Sequence, residues 1–226
     1  MSTPLIWCLL ILVMVLSFII QQVLNSKFDK YSRIGNAGGL TGADVAQKML
    51  HDNGIYDVKV TSTQGKLTDH YNPADKTVNL SEGVFSGRSI AAAAVAAHET
   101  GHAIQHACGY APLKLRTALV PVVTFANNTV QWVLLIGVLL VQFIPQVLWL
   151  GIFLFALTTV FSILTLPVEI NASQRAVSWL QNCGIVDGQT RPMAVDALKW
   201  AAYTYVIAAL GSLATLFYYI GLARRN

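Results

Sequence analysis

Charged side chains are scarce in this chain. Only 12% of its residues are Asp, Glu, Lys or Arg and 54% are hydrophobic, whereas soluble domains carry about a quarter charged residues. This balance excludes an ordinary soluble domain and a disordered chain, and it predicts a mainly α-helical membrane protein in contact with the lipid bilayer. Cysteine is nearly as rare. Cys8, Cys108 and Cys183 lie far apart and form no Cys-x-x-Cys pair, so neither a disulfide framework nor a thiolate metal site is indicated. They read as small apolar residues in or beside helices. Internal repeats, low-complexity tracts and Gly/Ser linkers are all missing, and the chain is read as one membrane-embedded domain over 1–226. No basic stripe with interleaved aromatics is found, which argues against a nucleic-acid partner; the net charge of +4 is assigned to membrane topology and anionic lipid instead.

What is abundant is apolar sequence in long runs. Four segments, 5–24, 119–144, 147–166 and 201–222, are each long enough for the roughly 20 helical residues that cross a bilayer core. The first is preceded by no Lys or Arg and followed by no Ala-x-Ala-like cleavage site, so it is expected to be a retained anchor rather than a signal peptide. Between the spans lie two polar segments, 25–116 and 167–200. Thirteen of the fifteen Lys and Arg fall in them, and four crossings place both on one side of the membrane. The positive-inside bias makes that side the cytoplasm and leaves both chain ends outside, with Arg224 and Arg225 arguing weakly the other way. Pro145-Gln146 suits a tight outer turn, and Pro167 marks the start of a new helix.

The segment 25–116 reads as a small α+β unit at the cytoplasmic membrane surface. Thr41 can cap a helix that runs through Asn53, with Gly54 ending it. Residues 57–63 alternate as a strand, turns surround 66–71, and 76–80 forms a second strand. The latter, with Thr77, Val78, Asn79 and Leu80, could hold an extended substrate by edge pairing. So small a unit has a thin core and is expected to lean on the membrane helices.

Its chemistry lies in His98-Glu99-Thr100-Gly101-His102, which follows an alanine-rich helical run. Four residues apart on a helix, both imidazoles share a face and can hold one tetrahedral zinc, while Glu99, just off that face, reaches the water on the metal and acts as general base. This is the apparatus of a zinc-dependent endopeptidase with one Zn²⁺ per chain. The competing reading is a zinc-binding membrane scaffold or transporter without hydrolysis, which would need polar groups inside the bundle. Such a set is modest here, Asn127, Asn128, Gln131, Thr158 and Thr159, with no Asp, Glu, Lys or Arg in the span cores.

A third ligand is required. His106 lies two turns from His98, about 12 Å along one helix, too far for three imidazoles to meet at one ion; it is an interface or supporting residue, or a plain surface histidine. Glu169 is the better candidate. It is the sole glutamate in the second half of the chain and sits just past the third span, where a carboxylate is costly unless paired, solvated or metal-bound. The alternative is a solvated Glu in a first helical turn. For the transition-state oxyanion, His70, Tyr71 and Arg175 are candidate donors, with a turn His-Tyr and a lipid-facing Arg as the plainer readings.

The stretches AAHETGHAIQH, LTDHYNPADKTVNLSEGVFSGRS and TLPVEINASQRA together resemble the YugP-type neutral zinc metallopeptidases of bacterial membranes, over nearly the whole chain. The arrangement is more distantly similar to the HtpX-like membrane peptidases. The resemblance implies a zincin-like catalytic unit of the type with a glutamate third ligand, His98 and His102 as ligands, Glu99 as base, Glu169 as third ligand and a location in the bacterial inner membrane. One departure stands out: the distant relatives carry an aspartate four residues after that glutamate, and this chain has Ser173. Support for the zinc histidines therefore falls to Asn171 or Ser173.

Overall fold

A computed structural model of the protein describes residues 3–225. Among them, helices carry most of the chain and three short strands form its one sheet. The elements run α1 (Thr3–Tyr31), α2 (Gly42–Asp52), β1 (Lys59–Thr63), β2 (His70–Asn72), β3 (Thr77–Ser81), α3 (Glu82–Phe85), α4 (Ile90–Ala107), α5 (Ala111–Leu139), α6 (Pro145–Asn182) and α7 (Arg191–Ala223). They divide into two compact units. One is drawn from within Met1–Ile20, Leu115–Leu166 and Tyr203–Asn226, the other from Gln21–Lys114 and Pro167–Ala202.

In the first unit the helices are long and apolar enough to cross a membrane, and they turn large side chains such as Phe18, Phe125, Trp132, Phe153 and Phe217 outward. Helices α5 and α6 meet through glycine. A Cβ on Gly137 would lie 2.6 Å from the Leu148 Cα, and one on Gly151 would lie 2.8 Å from a Leu134 methyl; small residues at such crossings let helix backbones approach closely.

The second unit is built by capping and burial. Thr41 accepts from the Asp44 amide while the Asp44 carboxylate takes the Thr41 amide, a reciprocal box that starts α2. Ser89 caps α4 through the Ala92 amide. Both helices end at a glycine in the left-handed region, Gly54 (φ 71°), as the sequence predicts, and Gly109 (φ 66°). The sheet has the order β1-β3-β2, with β1 parallel to β3 (Val60 opposite Val78) and β2 antiparallel to it (Tyr71 opposite Val78). Val78 and Leu80 are fully buried beside Val45, Met49 and Leu50 of α2 and the small residues of α4.

Several boundaries differ from the sequence reading. The core of this unit is completed by Ala176 and Leu180 of α6 and Ala194 and Leu198 of α7, residues of the second polar segment that belong to the same unit. Pro167 does not start a helix; it lies inside the continuous α6. Its missing N–H removes one bond of the ladder, but Val168 and Glu169 directly after it are buried, and that packing holds the helix together. Pro145 is the first residue of α6 rather than part of a turn, the position where an absent N–H costs nothing. The turn falls earlier, after Leu139. Helix α7 begins at Arg191, ten residues before the predicted span, and α5 begins at Ala111. The strand β2 was not expected, since three residues are too few to show alternation.

Candidate metal centre

Helix α4 presents His98 and His102 one turn apart, with ring centroids separated by 4.8 Å and planes nearly perpendicular. The chain then returns, 71 residues after His98, to place Glu169 against both. One carboxylate oxygen, Oε2, lies 3.3 Å from His98 Nε2 and 3.6 Å from His102 Nε2. The three prospective ligand atoms all fall within 4.8 Å of one another. What allows the approach is Gly101 inside the motif: a Cβ there would sit 2.8 Å from the Ala172 carbonyl oxygen and 3.2 Å from its Cα. Motif helix and Glu169 helix thus touch backbone to backbone.

The outer nitrogens of both rings are also held. Ser173 Oγ lies 3.1 Å from His98 Nδ1, and Gln105 Oε1 lies 3.1 Å from His102 Nδ1. The Gln105 amide cannot turn over, because its NH₂ donates to the Val168 carbonyl at 2.8 Å and to Asn171 Oδ1 at 3.0 Å. Its oxygen therefore faces His102, and His102 Nδ1 must be the protonated donor. That tautomer leaves the Nε2 lone pair directed to the cluster, as metal-ligating histidines require. Asn171 Oδ1 in turn accepts from Arg175 Nε at 2.8 Å. Burial alone would lower the His102 pKa; its pairing with Glu169, the nearby charge of Glu99 and the contact with Gln105 outweigh this and raise it.

Of the residues singled out from the sequence, His98, His102, Glu169 and Ser173 come together directly, and Asn171 and Arg175 join through Gln105. Glu99 is half-buried on α4 beside them. Gln105 was missed; its spacing of three residues from His102 on one helix face was the signal available. Tyr71 and His106 form a pair of their own, Oη to Nδ1 at 2.8 Å, which ties β2 to α4; burial pushes the Tyr71 phenol up. His70 turns to the carbonyl of Thr68 at 2.8 Å. The expectation for Thr77, Val78, Asn79 and Leu80 is corrected: β3 is the middle strand, paired with β1 along its length and with β2 over Thr77, Val78 and Asn79, so that stretch has no free edge for a peptide.

The donor set fits zinc: two imidazole nitrogens with their opposite nitrogens engaged, and one buried carboxylate. The profile of the family described as "Putative neutral zinc metallopeptidase" matches residues 6–224. The chain belongs to this family. Within this group of zinc metallopeptidases it is 43% identical, over 205 residues, to the "Putative membrane protease YugP" of Bacillus subtilis (strain 168), an alignment covering 91% of this chain and 90% of the relative. No solved structure matches the chain.

Proposed function

We propose that the protein is an integral-membrane zinc endopeptidase whose ion is held by His98, His102 and Glu169, one per chain. The observation that carries this reading is the convergence of the three donors with both outer imidazole nitrogens already engaged by Ser173 and Gln105. Glu169 is only 3% exposed, and a carboxylate so buried calls for cationic compensation. Bound zinc would supply Lewis acidity toward a water and a scissile carbonyl. The remaining work belongs to the chain. Glu99 takes a proton from the attacking water and returns it to the departing amine. Ser173 and Gln105 keep the imidazoles in the ligating tautomer, and Gly101 keeps the two helices in register.

Four apolar helices and a relative named "Putative membrane protease YugP" support membrane insertion, and the distribution of Lys and Arg supports a cytoplasmic site. Membrane-anchored proteins with cytosolic segments are then suitable substrates. The deciding experiment compares wild type with Glu99→Gln. The variant is expected to keep stoichiometric zinc and an unchanged thermal transition while turnover on peptides falls about 100-fold or more, the scale of a general base. Equal hydrolysis by both proteins would refute the assignment.

A further inference from the structure

The sequence offers Asn127, Asn128 and Gln131 as polar groups for a bundle interior, but the structure turns all three outward. They lie in the middle stretch of α5, one of the helices long and apolar enough to cross a membrane. Its buried side, with Ala126, Val130 and Leu134, packs with Leu148 and Ile152 of α6. On a different face, Thr117, Thr124 and Gln131 recur every seven residues, and Asn127 and Asn128 fall between the last two. One stripe about 21 Å long therefore carries five exposed polar side chains. Among the described residues the three amides have no side-chain hydrogen bond. Thr158 and Thr159, by contrast, both donate to the Phe155 carbonyl, at 2.8 and 3.0 Å. Lipid chains offer an amide no partner, so each Asn or Gln exposed in a bilayer core is penalised until another helix supplies one.

We propose that this stripe is a self-association surface, on which α5 of a second copy of the chain packs parallel to the first about a two-fold axis along the membrane normal. The proposal rests on the membrane insertion argued above and is independent of the peptidase chemistry. An amide carries both N–H donors and a carbonyl acceptor, so a face with three of them is its own complement. Copies inserted in one direction bring each amide to the depth of its counterpart, and the seven-residue spacing keeps the contacts along one seam. A helix of unrelated sequence would need amides at the same three depths to match it. No Asp, Glu, Lys or Arg lies between Thr117 and Gln131 to repel a second copy.

Sedimentation equilibrium of the full-length protein in density-matched detergent reads the association. Wild type is expected to dimerise, and N127L/N128L/Q131L to raise the dimer dissociation constant about tenfold or more, with zinc content unchanged. A second measurement keeps the amides in place and so covers a variant that folds poorly. With the three native cysteines changed to alanine, T124C on the stripe should give a disulfide-linked dimer in membranes under mild oxidation. I136C, exposed on α5 but off the stripe, should not. A wild-type protein that stays monomeric, a dimer indifferent to N127L/N128L/Q131L, or equal cross-linking from both cysteines overturns the interface while leaving the peptidase reading intact. Release of the chain from membranes by alkaline carbonate would overturn the insertion, and the interface with it.

Discussion

Glu169 brings a carboxylate to a position 3% exposed, directly after an apolar run, where an uncompensated charge would be heavily penalised. Its neighbours are two imidazoles, and a metal ion is the compensation that this set fits. Glu169→Ala should therefore abolish stable zinc binding, whereas His106→Ala, which removes only the partner of Tyr71, should retain one zinc per chain; metal analysis after gel filtration reads both. Gln105 acts one step further out. Gln105→Ala frees His102 to change tautomer and leaves the Val168 carbonyl without its donor, so zinc affinity is expected to fall about 10- to 100-fold in competition with a chelator. At this scale the three candidate donors were legible, the histidines from residue type and spacing and Glu169 from its place just past an apolar run. Gln105 was not legible, because its role depends on Val168 and Asn171, 63 and 66 residues distant.

Helices α4 and α6 are positioned by what they omit. Gly101 and the neighbouring alanines of α4 let the α6 backbone come within van der Waals contact. Gly101→Ala would place a methyl 2.8 Å from the Ala172 carbonyl oxygen, an overlap with backbone that no side-chain rotation relieves. Thermal unfolding of the metal-free protein should show a loss of roughly 1–3 kcal/mol, and zinc retention should weaken as Glu169 is moved outward. Retention of both would show that the helices adjust without cost. The cap and glycine stop gave the ends of α2 correctly, since those signals are local. The prolines misled, because a helix breaker acts only when nothing else holds the helix, and buried Val168 and Glu169 hold α6 through Pro167.

Across the molecule, apolar surface and charge separate. Side chains such as Met14, Phe18, Phe125, Phe143 and Phe153 are exposed, an extent of outward apolar surface that water would not tolerate and lipid would, while thirteen of fifteen cationic residues fall in the two polar segments. The proposed orientation follows from that bias. A cysteine introduced at Gln146 should react with a membrane-impermeant thiol reagent in intact cells, and one at Lys66 should react only after permeabilisation. The opposite pattern would put the metal centre on the outer face.

The sequence by itself determined the helical, apolar character of the chain, the motif helix with its two histidines and Glu99, and the glutamate to look for, because composition, period and spacing are properties of neighbouring residues. Tertiary structure alone decided the rest. It made β3 a central strand and so removed the expected peptide edge, for strand order depends on which segments pair and not on any one of them. It put Ser173 and Gln105 on the outer nitrogens of the histidines. It also set Glu169 against both rings, since a distance of a few ångströms across some seventy residues of chain is fixed by how α4 packs on α6, which no local pattern records.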